Sequence, residues 1–195
     1  MKRFPIAIAA VVLVVVAMIV KLAFFTPANS GVALETSLDA PFELIDQDGH
    51  PFTSGMLAHK PHVLFFGYTS CPDICPTTLA SISRWIDEAK LSRVQFVFIT
   101  VDPERDTPAV LKQYLSAFSP RIIGLTGSPD DVSAVLDAYH IFRRRVPQSG
   151  GSYALDHTAT IFLVDDFGKL QGTIARDESD ARALAKLRRL EGASG

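Results

Sequence analysis

Residues 62–78 read HVLFFGYTSCPDICPTT, and the fold depends on how that run divides. The first seven residues, 62–68, are a short continuous apolar run. That length and composition suit a strand buried on both faces. A turn follows, holding Cys71 and Cys75, each with a proline directly after it. Pro76 is tolerated in the first turn of a helix and not deeper inside one. From Thr77 the chain reads TTLASISRWIDEAK, with Leu79, Ile82 and Ile86 spaced as on one helical face. The run is therefore strand, tight turn, helix. The two cysteines lie just past the C-terminal end of the strand, where ligands collect in open α/β sheets.

The same alternation continues outward. VQFVFITVD (94–102) is a second buried strand. DTPAVLKQYLSAF opens a helix with Thr107 as N-cap and Pro108 at the first helical position, and SPDDVSAVLDAYH (128–140) repeats that arrangement. TATIFLVDDFGKLQGTI (158–174) predicts two strands about a turn at 166–168, necessarily antiparallel. PFELIDQDGHPFT carries an Asp48-Gly49 hairpin signal, and ESDARALAKLRRLE (178–191) is a closing amphipathic helix. Strands joined by helices imply parallel β-α-β units with right-handed crossovers. The expected architecture is α/β: a mixed sheet with helices on both faces. No internal repeat or low-complexity tract interrupts it.

The chain begins MKRFPIAIAAVVLVVVAMIVKLAFF, without charge from Phe4 to Val20. A helix of about 20 such residues spans about 30 Å, the thickness of a bilayer's hydrocarbon core. Lys2 and Arg3 on the short flank place that flank in the cytoplasm and the remainder on the far side. Residues 1–25 are thus expected to be a transmembrane anchor. The competing reading is a cleaved signal peptide. Against cleavage stand the length of the apolar run and the lack of a small-x-small site. Residues 26–40, TPANSGVALETSLDA, are small and polar and suit a tether, leaving 41–191 as the folded domain. At 195 residues and net charge −2, the chain offers one ordinary core and no basic field for nucleic acid.

The two cysteines have three readings. A structural disulfide across so small a ring removes little unfolded-state entropy. A redox pair is favoured by a helix N-terminus, which lowers thiol pKa. A metal clamp is favoured by the i, i+4 spacing, which lets both sulfurs face one spot. A third donor would support the clamp. His62 is excluded, since it begins the strand whose far end carries Cys71, roughly 20 Å away. His50 and His59 read as surface residues and His140 as a helix end. His157 immediately precedes the strand TATIFLVD. If that strand runs antiparallel beside 62–68, His157 meets Cys71. Two thiolates and one imidazole form a soft set that suits Cu(I) and, with an added ligand, Cu(II); structural zinc wants four ligands. Asp156 could orient His157 or be a turn residue. Asp73 could cap the following helix or tune the loop. The run Arg143–Arg145 reads as a solvated face or an acidic partner's docking patch.

GYTSCPDICPTTL, VDPERDTPAVLKQYL and LDHTATIFLVDDFGK together resemble the Sco/SenC family of thioredoxin-like copper proteins, over residues 41–190. The resemblance implies a thioredoxin-like domain anchored outside the cytoplasmic membrane (or facing the mitochondrial intermembrane space). It implies a copper ion bound by Cys71, Cys75 and His157. It further implies, as partners, the copper A-bearing subunit of cytochrome c oxidase, an upstream copper donor and a thiol reductant. Some family members are thought instead to reduce the oxidase cysteines. Two departures from the wider thioredoxin pattern weaken dithiol exchange here: three residues rather than two separate the cysteines, and HTAT lacks the proline that often precedes the next strand. A peroxidase reading lacks a threonine three residues before Cys71, where Tyr68 stands.

Overall fold

The computed structural model describes residues 40–192. The expected anchor over 1–25 and the tether over 26–40, save Ala40, lie outside those residues. Among the described residues no helix is long and apolar enough to cross a membrane.

The described chain forms strands β1 (Glu43–Asp46), β2 (Pro51–Thr53), β3 (His62–Gly67), β4 (Gln95–Thr100), β5 (Ile122–Thr126), β6 (Arg143–Pro147), β7 (Tyr153–His157), β8 (Ile161–Val164) and β9 (Leu170–Ile174). Four helices accompany them: α1 (Ile74–Glu88), α2 (Pro108–Leu115), α3 (Pro129–Ala138) and α4 (Asp180–Gly192). Seven strands form one sheet in the order β2-β1-β5-β4-β3-β8-β9. β3, β4 and β5 are parallel, while β8 runs antiparallel to β3. This is the mixed sheet the alternation predicts, in the thioredoxin-like form the resemblance implies.

Every residue of β3 is buried, as its unbroken apolar run requires. Successive side chains feed opposite layers. The Phe65 ring packs on Phe98, which meets Tyr114 of α2; the Phe66 ring packs on Tyr139, just after α3. Helices thus cover both faces. The two expected N-caps form: the Thr107 and Ser128 hydroxyls accept from the Val110 and Asp131 amides, each with a proline opening the helix.

Three elements differ from expectation. β5 begins directly after Arg121, and its short run holds Gly124 among apolar residues. There, an added Cβ would run into the Leu115 side chain of α2, so helix–sheet contact, not strand propensity, favours glycine. The second is a separate two-stranded hairpin, β6–β7. β6 is exposed and arginine-rich, and β7 buries only Leu155, so the hairpin carries little apolar alternation to read. Third, β8 starts at Ile161 rather than Thr158, and His157 ends β7.

His140 follows α3 with φ of 54°, and the Ile141 amide donates to the Leu136 carbonyl at 2.7 Å. That is a left-handed helix stop normally given to glycine. His140→Gly is expected to stabilise the domain by about 0.5–1 kcal/mol, the relieved left-handed strain less the added unfolded-state entropy. A rise in the urea midpoint checks this; a fall would refute it.

Candidate metal centre

Strand pairing brings the site together. β3 and β8 pair antiparallel from His62↔Val164 to Phe65↔Ile161, so the start of β8 lies beside the end of β3. Four residues before Ile161 opens β8, His157 reaches the cysteine turn. Its Nε2 lies 3.7 Å from Cys75 Sγ, across 82 residues of sequence. His62 opens β3 at the opposite end, buried, its Nδ1 donating to the Lys60 carbonyl at 2.9 Å.

The turn is built by its own backbone. The Cys71 amide donates to the Tyr68 carbonyl, and the Cys75 amide points at Cys71 Sγ, 3.4 Å away. Cys75 is the second residue of α1 and fully buried; Cys71 is half-buried, and the sulfurs are unlinked. Pro76 sits in the first helical turn. Asp73 occupies the N-cap position but its side chain caps nothing; it is approached only by the Thr77 hydroxyl at 3.5 Å.

Gly67 is a site residue that the sequence reading passed over. A Cβ there would lie 2.9 Å from Cys75 Sγ and 2.8 Å from the Phe98 ring. The sulfur rests on the bare Cα of the last β3 residue. The only sequence signal was a glycine ending an apolar run.

The imidazole is oriented by its neighbour. His157 Nδ1 lies 2.9 Å from the Thr158 carbonyl, which can only accept, so Nδ1 carries the proton and Nε2 presents its lone pair. Tyr68 meets the ring edge-on, with centroids 5.7 Å apart. Asp156 is neither orienter nor turn residue. It lies on β7 and pairs with Arg144 at 2.6 Å. The arginine run is exposed, as a solvated face, yet each member is also tied down: Arg143 donates to the Val101 carbonyl and the Ser133 hydroxyl, Arg144 pairs with Asp156, and Arg145 pairs with Glu104.

The two thiols share one proton unequally. A hydrogen bond from the Cys75 thiol, joined by the Cys75 and Asp73 backbone amides and opposed by desolvation, holds the Cys71 thiol down at about 3. That same bond to the Cys71 thiolate, together with burial, pushes the Cys75 thiol far up. An accessible thiolate therefore stands beside a buried thiol.

This donor set fits a soft cation. Bonds of about 2.3 Å to sulfur and about 2.0 Å to nitrogen, meeting at 120°, put those atoms about 3.7 Å apart, the spacing found for Cys75 and His157. Among the described residues no three His, Cys, Asp or Glu side chains are already gathered to hold an ion as they stand. Cys71 Sγ rests against the Cys75 amide.

A family profile described as SCO1/SenC matches residues 31–191. The mitochondrial protein SCO2 of Saccharomyces cerevisiae is 40% identical over 157 residues, covering 78% of this chain and 52% of the relative. The chain thus spans about half the length of that relative. Among solved structures, Bradyrhizobium japonicum ScoI with copper bound is 42% identical, with a TM-score of 0.73, covering 78% of this chain and 98% of that one. Yeast Sco1 with copper bound is 35% identical, with a TM-score of 0.74, covering 82% and 91%.

Two outcomes follow from this geometry. Gly67→Ala should lower stability by about 1–3 kcal/mol through overpacking and displace Cys75 Sγ, seen as a lower denaturation midpoint and faster Cys75 alkylation; an unchanged midpoint and rate would refute the cradle. Cys71 should alkylate well before Cys75, at a rate nearly flat from pH 8 down to pH 5, because a depressed pKa keeps its thiolate across that window. A rate falling tenfold per pH unit there would refute the depressed thiol.

Proposed function

The chain belongs to the SCO1/SenC family, and on that premise we propose that it is a membrane-anchored copper chaperone. Its acceptor is the copper A-bearing subunit of cytochrome c oxidase. Cys71, Cys75 and His157 hold the ion. The observation that carries this reading is the approach of an unprotonated imidazole nitrogen to a buried cysteine sulfur at 3.7 Å. Dithiol exchange has no use for that nitrogen; a soft cation does. The copper-bound relatives add support.

Copper is the cargo. Three protein donors hold Cu(I) and leave a side open to an incoming thiolate. An acceptor then takes over ligand by ligand, and no free ion is released. Cys71 is the exposed donor and the natural first to be exchanged. Cys75 lies deeper and, with His157, holds the ion until the acceptor's second ligand arrives. A disulfide between Cys71 and Cys75 removes two donors at once, so the site needs a reductant in an oxidising compartment. Residues 1–25 as a single-pass anchor and 26–40 as a tether fit that compartment. They place the domain on the extracytoplasmic side of the inner membrane, or in the intermembrane space.

A second reading has its own support. A half-exposed thiolate beside a buried thiol is the arrangement a thiol-disulfide reductase uses, with Cys71 attacking and Cys75 resolving. His157 separates the two. His157→Ala and Cys71→Ser should each lower Cu(I) affinity at least about tenfold, a loss of about 1.4 kcal/mol, with the circular dichroism spectrum unchanged. Competition against a Cu(I) chelator measures this. If His157→Ala binds Cu(I) as tightly as the parent while Cys71→Ser loses disulfide exchange, the reductase reading stands instead.

A further inference from the structure

Between β4 and α2 runs the loop Asp102–Thr107, which lies outside the donor set. Two of its side chains reach different parts of the site. Asp106 is fully buried. Its carboxylate accepts from the Thr69 amide at 3.0 Å, the Thr69 hydroxyl at 2.6 Å and the Thr100 hydroxyl at 2.6 Å. Its main-chain carbonyl accepts from the Thr126 hydroxyl at 2.7 Å. Thr100 ends β4 and Thr126 ends β5, while Thr69 stands two residues before Cys71. A buried carboxylate is costly unless its lone pairs are taken up; three donors take them up here. One residue therefore ties the cysteine turn to two strand ends.

Arg105 reaches the other way. Its guanidinium stacks on the Tyr153 ring at 3.8 Å and lies 5.7 Å from the Tyr68 ring. It donates to the Tyr153 carbonyl at 3.0 Å and pairs with Asp102, whose other oxygen accepts from the Tyr153 hydroxyl at 2.7 Å. Tyr153 opens β7 and His157 closes it. That hairpin is no part of the seven-stranded sheet, so no ladder holds it to the cysteine turn. Side chains do, and Arg105 is central among them.

We propose that the Asp102–Thr107 loop is a two-sided clasp of positioning residues: Asp106 fixes the cysteine turn through Thr69, Arg105 fixes the His157 hairpin through Tyr153, and together they set the donor spacing without touching the ion. The proposal rests on the copper reading and extends it. The donors come from segments distant in sequence, and a site loose by an ångström loses its selectivity. A short loop gripping both segments removes that looseness. The arginine is specific, because a lysine ammonium cannot both stack flat and fork.

The test uses the full chain with Arg105→Ala, Arg105→Lys, Asp106→Asn and Thr69→Val. Three readouts are taken: amide exchange across 153–157, nitrogen hyperfine coupling with one equivalent of Cu(II), and the reduction equilibrium of the cysteine pair. Arg105→Ala should speed hairpin exchange roughly tenfold and erase the nitrogen coupling, leaving the cysteine equilibrium as it was; Arg105→Lys should rescue neither. Asp106→Asn and Thr69→Val should shift the cysteine equilibrium roughly tenfold, about 30 mV for two electrons, and leave the hairpin and its nitrogen coupling intact. Thr69→Val carries this arm if Asp106→Asn does not fold. Wild-type hairpin exchange in Arg105→Ala, or all readouts moving together in every variant, overturns the clasp. A parent chain that takes up no copper overturns the copper reading alone, since exchange and the cysteine equilibrium decide the clasp without metal.

Discussion

The antiparallel pairing of β8 with β3 is the constraint on which the site depends. β3 is a fully buried strand whose C-terminal end delivers the cysteine turn. A parallel partner would carry its own start to the opposite end, beside His62. An antiparallel one carries it to the cysteines. The ladder from His62↔Val164 to Phe65↔Ile161 therefore decides that His157, and no other histidine, meets the sulfurs. Burial locks that register. Ile161, Leu163 and Val164 are all buried, and a one-residue slip would drive each side chain into the opposite packed layer.

On that frame the electrostatics follow from unequal burial. Cys75 lies on the bare Cα of Gly67, away from water, and keeps its proton. Cys71 lies at the rim and gives up its proton. One geometry thus suits two chemistries. The thiolate at the rim is a nucleophile for exchange and a first ligand for a soft cation. What tips the balance is the imidazole: its Nδ1 proton is committed to the Thr158 carbonyl, so Nε2 faces the sulfurs as a donor of electrons. The same carbonyl removes any need for Asp156, which turns away to Arg144.

The sheet supplies the cysteine turn and the direction of approach, but His157 itself stands on a hairpin outside that sheet. Its final position is a matter of side chains: Arg105 stacked on Tyr153, Arg145 on Glu104, Arg143 on the Val101 carbonyl, and the Tyr68 hydroxyl accepting from the Leu155 amide. Polar contacts at a rim open more readily than a buried ladder. For the proposed delivery of an ion, a rigid half bearing sulfur and a less firmly held half bearing nitrogen suit both uptake and release.

The sequence by itself determined the class of fold and the donor types. Apolar runs at 62–68 and 94–102 had to be buried strands, since their length and continuity fit nothing exposed. Thr107-Pro108 and Ser128-Pro129 had to open helices, because local chemistry there satisfies the free amides. The Cys71/Cys75 spacing placed two sulfurs on one side of a helical turn. Tertiary structure decided the rest. β6 is exposed and rich in arginine, and β7 buries a single residue, Leu155, so neither carries a readable periodicity. Gly67 and Gly124 are set by what presses on them, a sulfur in one case and a leucine in the other. Asp106 looked like any loop aspartate until two strand ends and the cysteine turn closed over it. Local signals record what a residue prefers beside its neighbours in sequence. Contacts across 82 residues exist only after the chain has folded.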